Sequence, residues 1–226
     1  MCFSPEVSFA SAAALVPTGM WIAWAAGRSA PRLWPLAVVP AVFGLQQACE
    51  GLVWLGLRYQ DEGLKALAGR TYLFFALAFW PFWFSATAAL IEPPGAWRRL
   101  LVAWAALSTG WFWFAYLPVL GDPAAAGACV CRHSIRYQYA DATAATCVRR
   151  VLYVLTAAVP LVLSSWRAAL LPCVVLGVSS ACVAAAVYDH AFTSVWCLFA
   201  AALSVSLARV VVTAPRRAPA LNLRGA

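Results

Sequence analysis

Residues 34–57 read WPLAVVPAVFGLQQACEGLVWLGL, a run with a single charged side chain, Glu50, and no base. As a helix it is about 36 Å long, enough to cross a hydrocarbon core of about 30 Å. The rest of the chain offers no polar shell to wrap such a run. Of 226 residues, 64% are hydrophobic and 11% charged, where an average soluble domain carries about a quarter charged residues. Comparable apolar runs recur at about 7–26, 71–91, 100–120, 149–165, 168–188 and 190–212. Continuous rather than alternating apolar residues exclude a β-barrel and leave helices that satisfy their own backbone groups. The expected fold is all-α: a polytopic membrane protein with a seven-helix transmembrane bundle in residues 1–214, an outer loop at about 121–148 and a basic tail at 215–226.

The chain holds 16 Lys and Arg against 8 Asp and Glu. In a soluble protein that excess would suggest nucleic acid; here it belongs to the loops flanking the spans, and no nucleic-acid partner is expected. The run 7–26 is not a signal peptide by the usual pattern, because residues 1–6 contain Glu6 and no base. Seven spans put the termini on opposite sides. With the N-terminus outside, Arg28, Arg32, Arg98, Arg99, Arg167, Arg216, Arg217 and Arg224 fall in the cytoplasm, and the positive-inside rule selects this N-out, C-in arrangement. Lys65 is the only lysine beside fifteen arginines. That bias fits a GC-rich bacterial genome and a bacterial cytoplasmic membrane.

Several chemistries are excluded. A retinal Schiff base needs a lysine in the last helix, and Lys65 lies in a loop. The seven-helix sugar-transporter type needs Pro-Gln and two similar halves, and neither is present. There is no Cys-x-x-Cys for a thiol oxidase and no phosphate-binding loop ending in Gly-Lys-Ser/Thr.

The strongest anomaly is Gln46, Gln47 and Glu50, flanked by Gly44 and Gly51 and followed by Trp54. A charge at this depth costs about 2.5 to 3.5 kcal/mol on insertion scales, and such residues face the bundle interior or a water cavity. Gln46, Glu50 and Trp54 share one helical face, so Gln46 and Glu50 are placed to bond each other or act jointly. Glu50 is then an acid/base candidate or a packing group held by an interhelical hydrogen bond. In the long loop, Cys129, Cys131, His133, Ile135, Tyr137 and Tyr139 share one strand parity. With Cys147, and with Asp189 and His190 on the same side, they suggest either a disulfide from Cys147 to Cys129 or Cys131, free thiols or a metal site. His190 and Ser194 lie four apart and either pair on one face or stand as a helix-end histidine beside a self-satisfied hydroxyl. Cys2 becomes terminal if Met1 is removed and is then a reactive thiol beside an amine, or a small anchoring residue.

Met1-Cys2-Phe3-Ser4 with Ser8 and Phe9, the Gly44 to Trp54 stretch, Phe79-Trp80-Pro81, Glu92-Pro93, His133 to Tyr137 and Ser194 to Cys197 together resemble an uncharacterised bacterial multi-pass membrane family whose members begin Met-Cys-Phe-Ser. The resemblance spans nearly the whole chain and implies a fold class but no reaction. It marks Cys2, Gln46, Gln47, Glu50, His133, Arg136, Tyr137 and Ser194, and leaves Cys129, Cys131, Cys147 and His190 outside the pattern. A weaker likeness, to seven-helix hydrolases related to alkaline ceramidases, implies zinc on three histidines; this chain has two histidines in all.

The functional expectation is an outward-opening intramembrane polar pocket. Glu50 and His133 are its catalytic candidates. Gln46, Gln47, Trp54, Arg136, Tyr137, Ser194 and Cys2 contact a small amphiphilic or lipid-soluble ligand. No metal ligand is assigned and the cofactor is left open. The alternatives are a structural subunit joined to a membrane-protein partner or oligomer, and a proton-coupled transporter, against which the single buried acid and the lack of repeats count. Membrane lipid is the one certain partner expected.

Overall fold

The computed structural model describes residues 4–122, 127–131, 134–138, 144–187 and 192–213, with the side chains of 111, 112, 114, 144–147, 187 and 192–202 excepted. Helix α1 covers Pro5–Ser29. Its start is set locally: Ser4 Oγ accepts from Val7 N at 3.3 Å, Pro5 needs no donor, and Glu6 lies in the positive first turn. The next run is helical from Pro31 to Tyr59 in three pieces, a 3-10 turn Pro31–Leu33, α2 Trp34–Ala37 and α3 Val39–Tyr59. Pro35 and Pro40 each remove an amide donor, which accounts for the breaks. Helix α3 ends at Gln60, whose φ of 56° is the left-handed conformation of a helix C-terminus.

Helix α4, Glu62–Phe74, begins nine residues before the expected span at 71. Asp61 caps it, Oδ1 accepting from Leu64 N at 2.9 Å, so the segment read as loop is already helix. Residues Phe75–Phe79 form a π turn, and α5 follows at Trp80–Ile91. The Trp80 N–H reaches back five residues to the Phe75 carbonyl, and Pro81, with no N–H, leaves a gap in the ladder beside it. Helix α6 is Ala96–Gly121, α7 Ala144–Leu163, α8 Arg167–Val187 and α9 Phe192–Thr213.

Seven long helical segments are thus present among the described residues. Five are long and apolar enough to cross a membrane: Pro5–Ser29, Pro31–Tyr59, Glu62–Ile91, Ala96–Gly121 and Arg167–Ala186. They fit an integral membrane protein.

Helices α1 and α3 run antiparallel in close contact. Phe9 lies against Gly51, Val16 against Gly44, and Gly19 against Ala41. A Cβ added to Gly44 would stand 2.6 Å from Val16 Cγ2, and one added to Gly51 2.8 Å from the Phe9 ring; at Gly19 it would overlap the Ala41 backbone. Glycines at these contacts let two backbones approach, the usual device where lipid supplies no hydrophobic drive between helices.

The long loop departs from all-α. Strands β1, Ala128–Cys131, and β2, Ser134–Tyr137, pair antiparallel with Cys129 opposite Arg136 and Val130 opposite Ile135. Strand spacing holds within each segment, but the antiparallel register, with Cys131 opposite Ser134, changes its parity. Residues paired across a ladder share a face, so Cys129 and Cys131 lie opposite the face of Ile135 and Tyr137, not with them. Ala128, Ile135 and Tyr137 are buried against the α3 and α4 side of the bundle.

The expected disulfide is not present among the described residues, where Cys129 and Cys131 are free thiols. Cys129 Sγ is instead within 3.7 Å of the Arg136 carbonyl, across the ladder. The Cys147 side chain lies outside the described residues.

Candidate functional site

Glu50 is wholly buried, at 0% exposure, with Gln46 at 1% and Gln47 at 3%. The α3 helix places them there by periodicity: Gly44 and Gly51, nearly two turns apart, occupy the α1 side, and Gln46 and Glu50 turn toward the rest of the bundle. The bonding differs from the expected Gln46–Glu50 pair. Gln47 Nε2 donates to Glu50 Oε2 at 3.4 Å, whereas Gln46 Oε1 accepts from the Trp80 indole at 2.6 Å. The indole also stacks on Phe43, one turn before Gln47, with ring centres 3.8 Å apart. The π turn before Trp80 sets the helical phase that aims it at α3.

This polar seam separates two apolar clusters. One contains Phe43, Trp80 and Phe84 and extends to α8 and α9. The other contains Val53, Tyr72, Tyr116 and Tyr137, with Trp54 packed against it. Tyr137 of the hairpin stacks on Tyr72 of α4 at 5.0 Å, and the Tyr116 hydroxyl donates to the Arg70 carbonyl at 2.9 Å. Two donors on this side, Trp54 Nε1 and Arg70 Nε, are buried without a hydrogen-bond partner among the described residues.

The structure therefore gathers Gln46, Gln47, Glu50 and Trp54 on one helix and brings Tyr137 into the neighbouring cluster. Arg136, next along β2, is exposed. Cys2, His133, Asp189 and His190 lie outside the described residues, as does the Ser194 side chain. No group of three His, Cys, Asp or Glu that would hold a metal occurs among the described residues.

Sequence reading gave no role to Glu92. Its carboxylate is 5% exposed, and Oε2 accepts from Ser164 Oγ at 3.0 Å and Ser165 N at 2.9 Å. Ser164 Oγ in turn accepts from Trp166 N at 3.2 Å. The acid thus ties the end of α5 to the turn between α7 and α8. Its partners lie more than seventy residues away in the chain, and Glu92-Pro93 was the only local signal.

A family model matches residues 1–222 of the chain. The chain belongs to DUF6629, a family of unknown function. The match bears out the resemblance to an uncharacterised family, and it carries no reaction with it. No curated protein and no solved structure matches the chain. For this DUF6629 member the chemistry rests on the residues: a buried carboxylate, the Gln47 amide donating to it, and two enclosed donors suited to an oxygen acceptor.

Proposed function

We propose that this DUF6629 protein is a seven-span integral protein of the bacterial cytoplasmic membrane, N-terminus outside and C-terminus inside. Around Glu50 it has an outward-opening polar pocket that binds a small amphiphilic or lipid-soluble ligand. The observation that carries this reading is the pair of enclosed donors, Trp54 Nε1 and Arg70 Nε. A buried donor left without an acceptor costs about 1–3 kcal/mol, and a ligand carbonyl, carboxylate or hydroxyl would offset that cost. Glu50, one turn from Trp54, is the proton-holding group. Gln47 donates to it, Gln46 lines the pocket beside it, and His133, Arg136, Tyr137, Ser194 and Cys2 belong to the mouth.

The orientation is supported by charge. Arg28, Arg32, Arg98, Arg99, Arg167 and Arg209 belong to one end of the bundle, where Glu92 is the only described acid, as the positive-inside rule asks of a cytoplasmic face.

The test is native mass spectrometry of the full chain extracted mildly from its own membrane. The expected result is a bound small mass on the wild-type protein that is lost from Trp54→Phe and Glu50→Gln. The same bound mass at the same occupancy in both variants would overturn the pocket. A second reading, a structural membrane subunit, is favoured by the internal bonding of the seam, Gln46 to Trp80 and Gln47 to Glu50. It predicts no small mass and a protein subunit retained through extraction.

A further inference from the structure

A second feature lies away from the Glu50 seam. Helices α5, α7, α8 and α9 line a partly open apolar cleft. Its walls include Phe84 of α5, Leu161 of α7, Leu170 and Gly177 of α8, and Leu203 and Leu207 of α9; one hydroxyl, that of Tyr153, is found among its lining side chains. Along α8 the lining runs from Leu170 to Val178, about 12 Å of helix. That is less than half a hydrocarbon core of about 30 Å, the depth of a chain from one leaflet.

The end of this cleft toward the α7–α8 turn has basic residues near it in the fold. Arg167, the first residue of α8, is exposed one turn before Leu170. The Trp97 indole donates to the Leu163 carbonyl at 3.0 Å, which fastens the first turn of α6, with half-buried Arg98 and exposed Arg99, beside the α7–α8 turn. None of the three arginines makes an ion pair among the described residues. The acid that would neutralise them, Glu92, is turned inward and held by Ser164 and Ser165. The apolar lining thus stops one turn short of Arg167, and the helix turn that carries Arg98 and Arg99 is fastened beside the same end by Trp97; Trp97 and Trp166 are aromatic residues of the type that sits at headgroup level. Basic pockets between helices on the cytoplasmic side are suited to anionic headgroups.

We propose that this cleft is a binding site for one anionic phospholipid, an acyl chain lying between α7, α8 and α9 and the phosphate held by Arg167 with Arg98 and Arg99. The site is separate from the Glu50 pocket.

The test uses the full chain reconstituted in phosphatidylcholine vesicles, with a trace of spin-labelled phosphatidylglycerol or, in parallel, spin-labelled phosphatidylcholine. The readout is the motionally restricted fraction of the label. The wild-type protein is expected to restrict phosphatidylglycerol preferentially. Each of Arg167→Gln, Arg98→Gln and Arg99→Gln is expected to lower that preference about fivefold. Gly177→Phe is expected to remove the restricted lipid of both kinds, because an added Cβ at Gly177 meets no atom within 4 Å and the ring has room to fill the cleft. The proposal is overturned if the preference survives all three arginine changes, or if Gly177→Phe leaves it intact. It is equally overturned if inorganic phosphate displaces the label, or if Gly177→Phe converts a dimer to a monomer, which would make a second copy the occupant.

Discussion

Helices α3 and α8 are each 21 residues long and both carry glycine in their interior, yet glycine does opposite things in the two. On α3, Gly44 and Gly51 are positions where a methyl group would collide with α1. On α8, Gly177 faces a cleft in which a methyl group meets nothing within 4 Å. The first pair of helices is closed by backbone approach and carries the buried polar seam; the second group leaves apolar space between its helices. In lipid both solutions are stable, since an unfilled groove there is solvated by hydrocarbon rather than water. Close packing in a membrane helix therefore marks where a register must be held, and open packing marks where an apolar guest has access.

The sharpest way to break that contrast is Gly19→Val. Its branched side chain would enter the backbone of Ala41, and a loss of about 3 kcal/mol is expected, read as a lower midpoint in denaturant titration of the detergent-solubilised protein. Wild-type stability in this variant would mean that α1 and α3 are not held by close approach. A smaller effect, about 1 kcal/mol, is expected from Trp80→Phe. That change keeps an aromatic ring to stack on Phe43 and deletes the indole donor to Gln46 together with part of the ring volume, and comparison with Trp80→Ala, which removes the ring altogether, shows how much of the loss is packing. The smallest effect has the opposite sign. Gly177→Ala is expected to raise stability by up to about 1 kcal/mol through helix propensity alone, and a destabilised variant would show that the cleft is not open at that point.

The helical architecture was legible because each apolar run is long enough to declare itself, and the polar face of α3 was legible because Gln46, Gln47 and Glu50 break a run that otherwise avoids such groups. What the run did not contain was the choice of partner. Gln46 and Glu50 are spaced to meet, but the Trp80 indole arrives from α5 and takes the Gln46 carbonyl, leaving Glu50 to Gln47. Glu92 escaped for a related reason, its partners being distant in the chain. The hairpin shows a different limit. Alternation predicts a strand face only as long as the chain keeps its direction, and the antiparallel pairing of β1 with β2 puts the thiols off the face of Tyr137. The cleft is assembled from four helices no single window could contain.

The π turn at Phe75–Phe79 has a further consequence, which belongs to chain length rather than to chemistry. A π turn holds one residue more than the α-helical ladder around it, so it acts as an insertion absorbed without a loop. Every residue after it is rotated by about 100° relative to an uninterrupted helix. Removing one residue from this stretch would leave the helix continuous and nearly as long, but would swing the indole of Trp80 away from Gln46 and turn another face of α5 toward α3. In this span, a change of length by one residue is a change of direction.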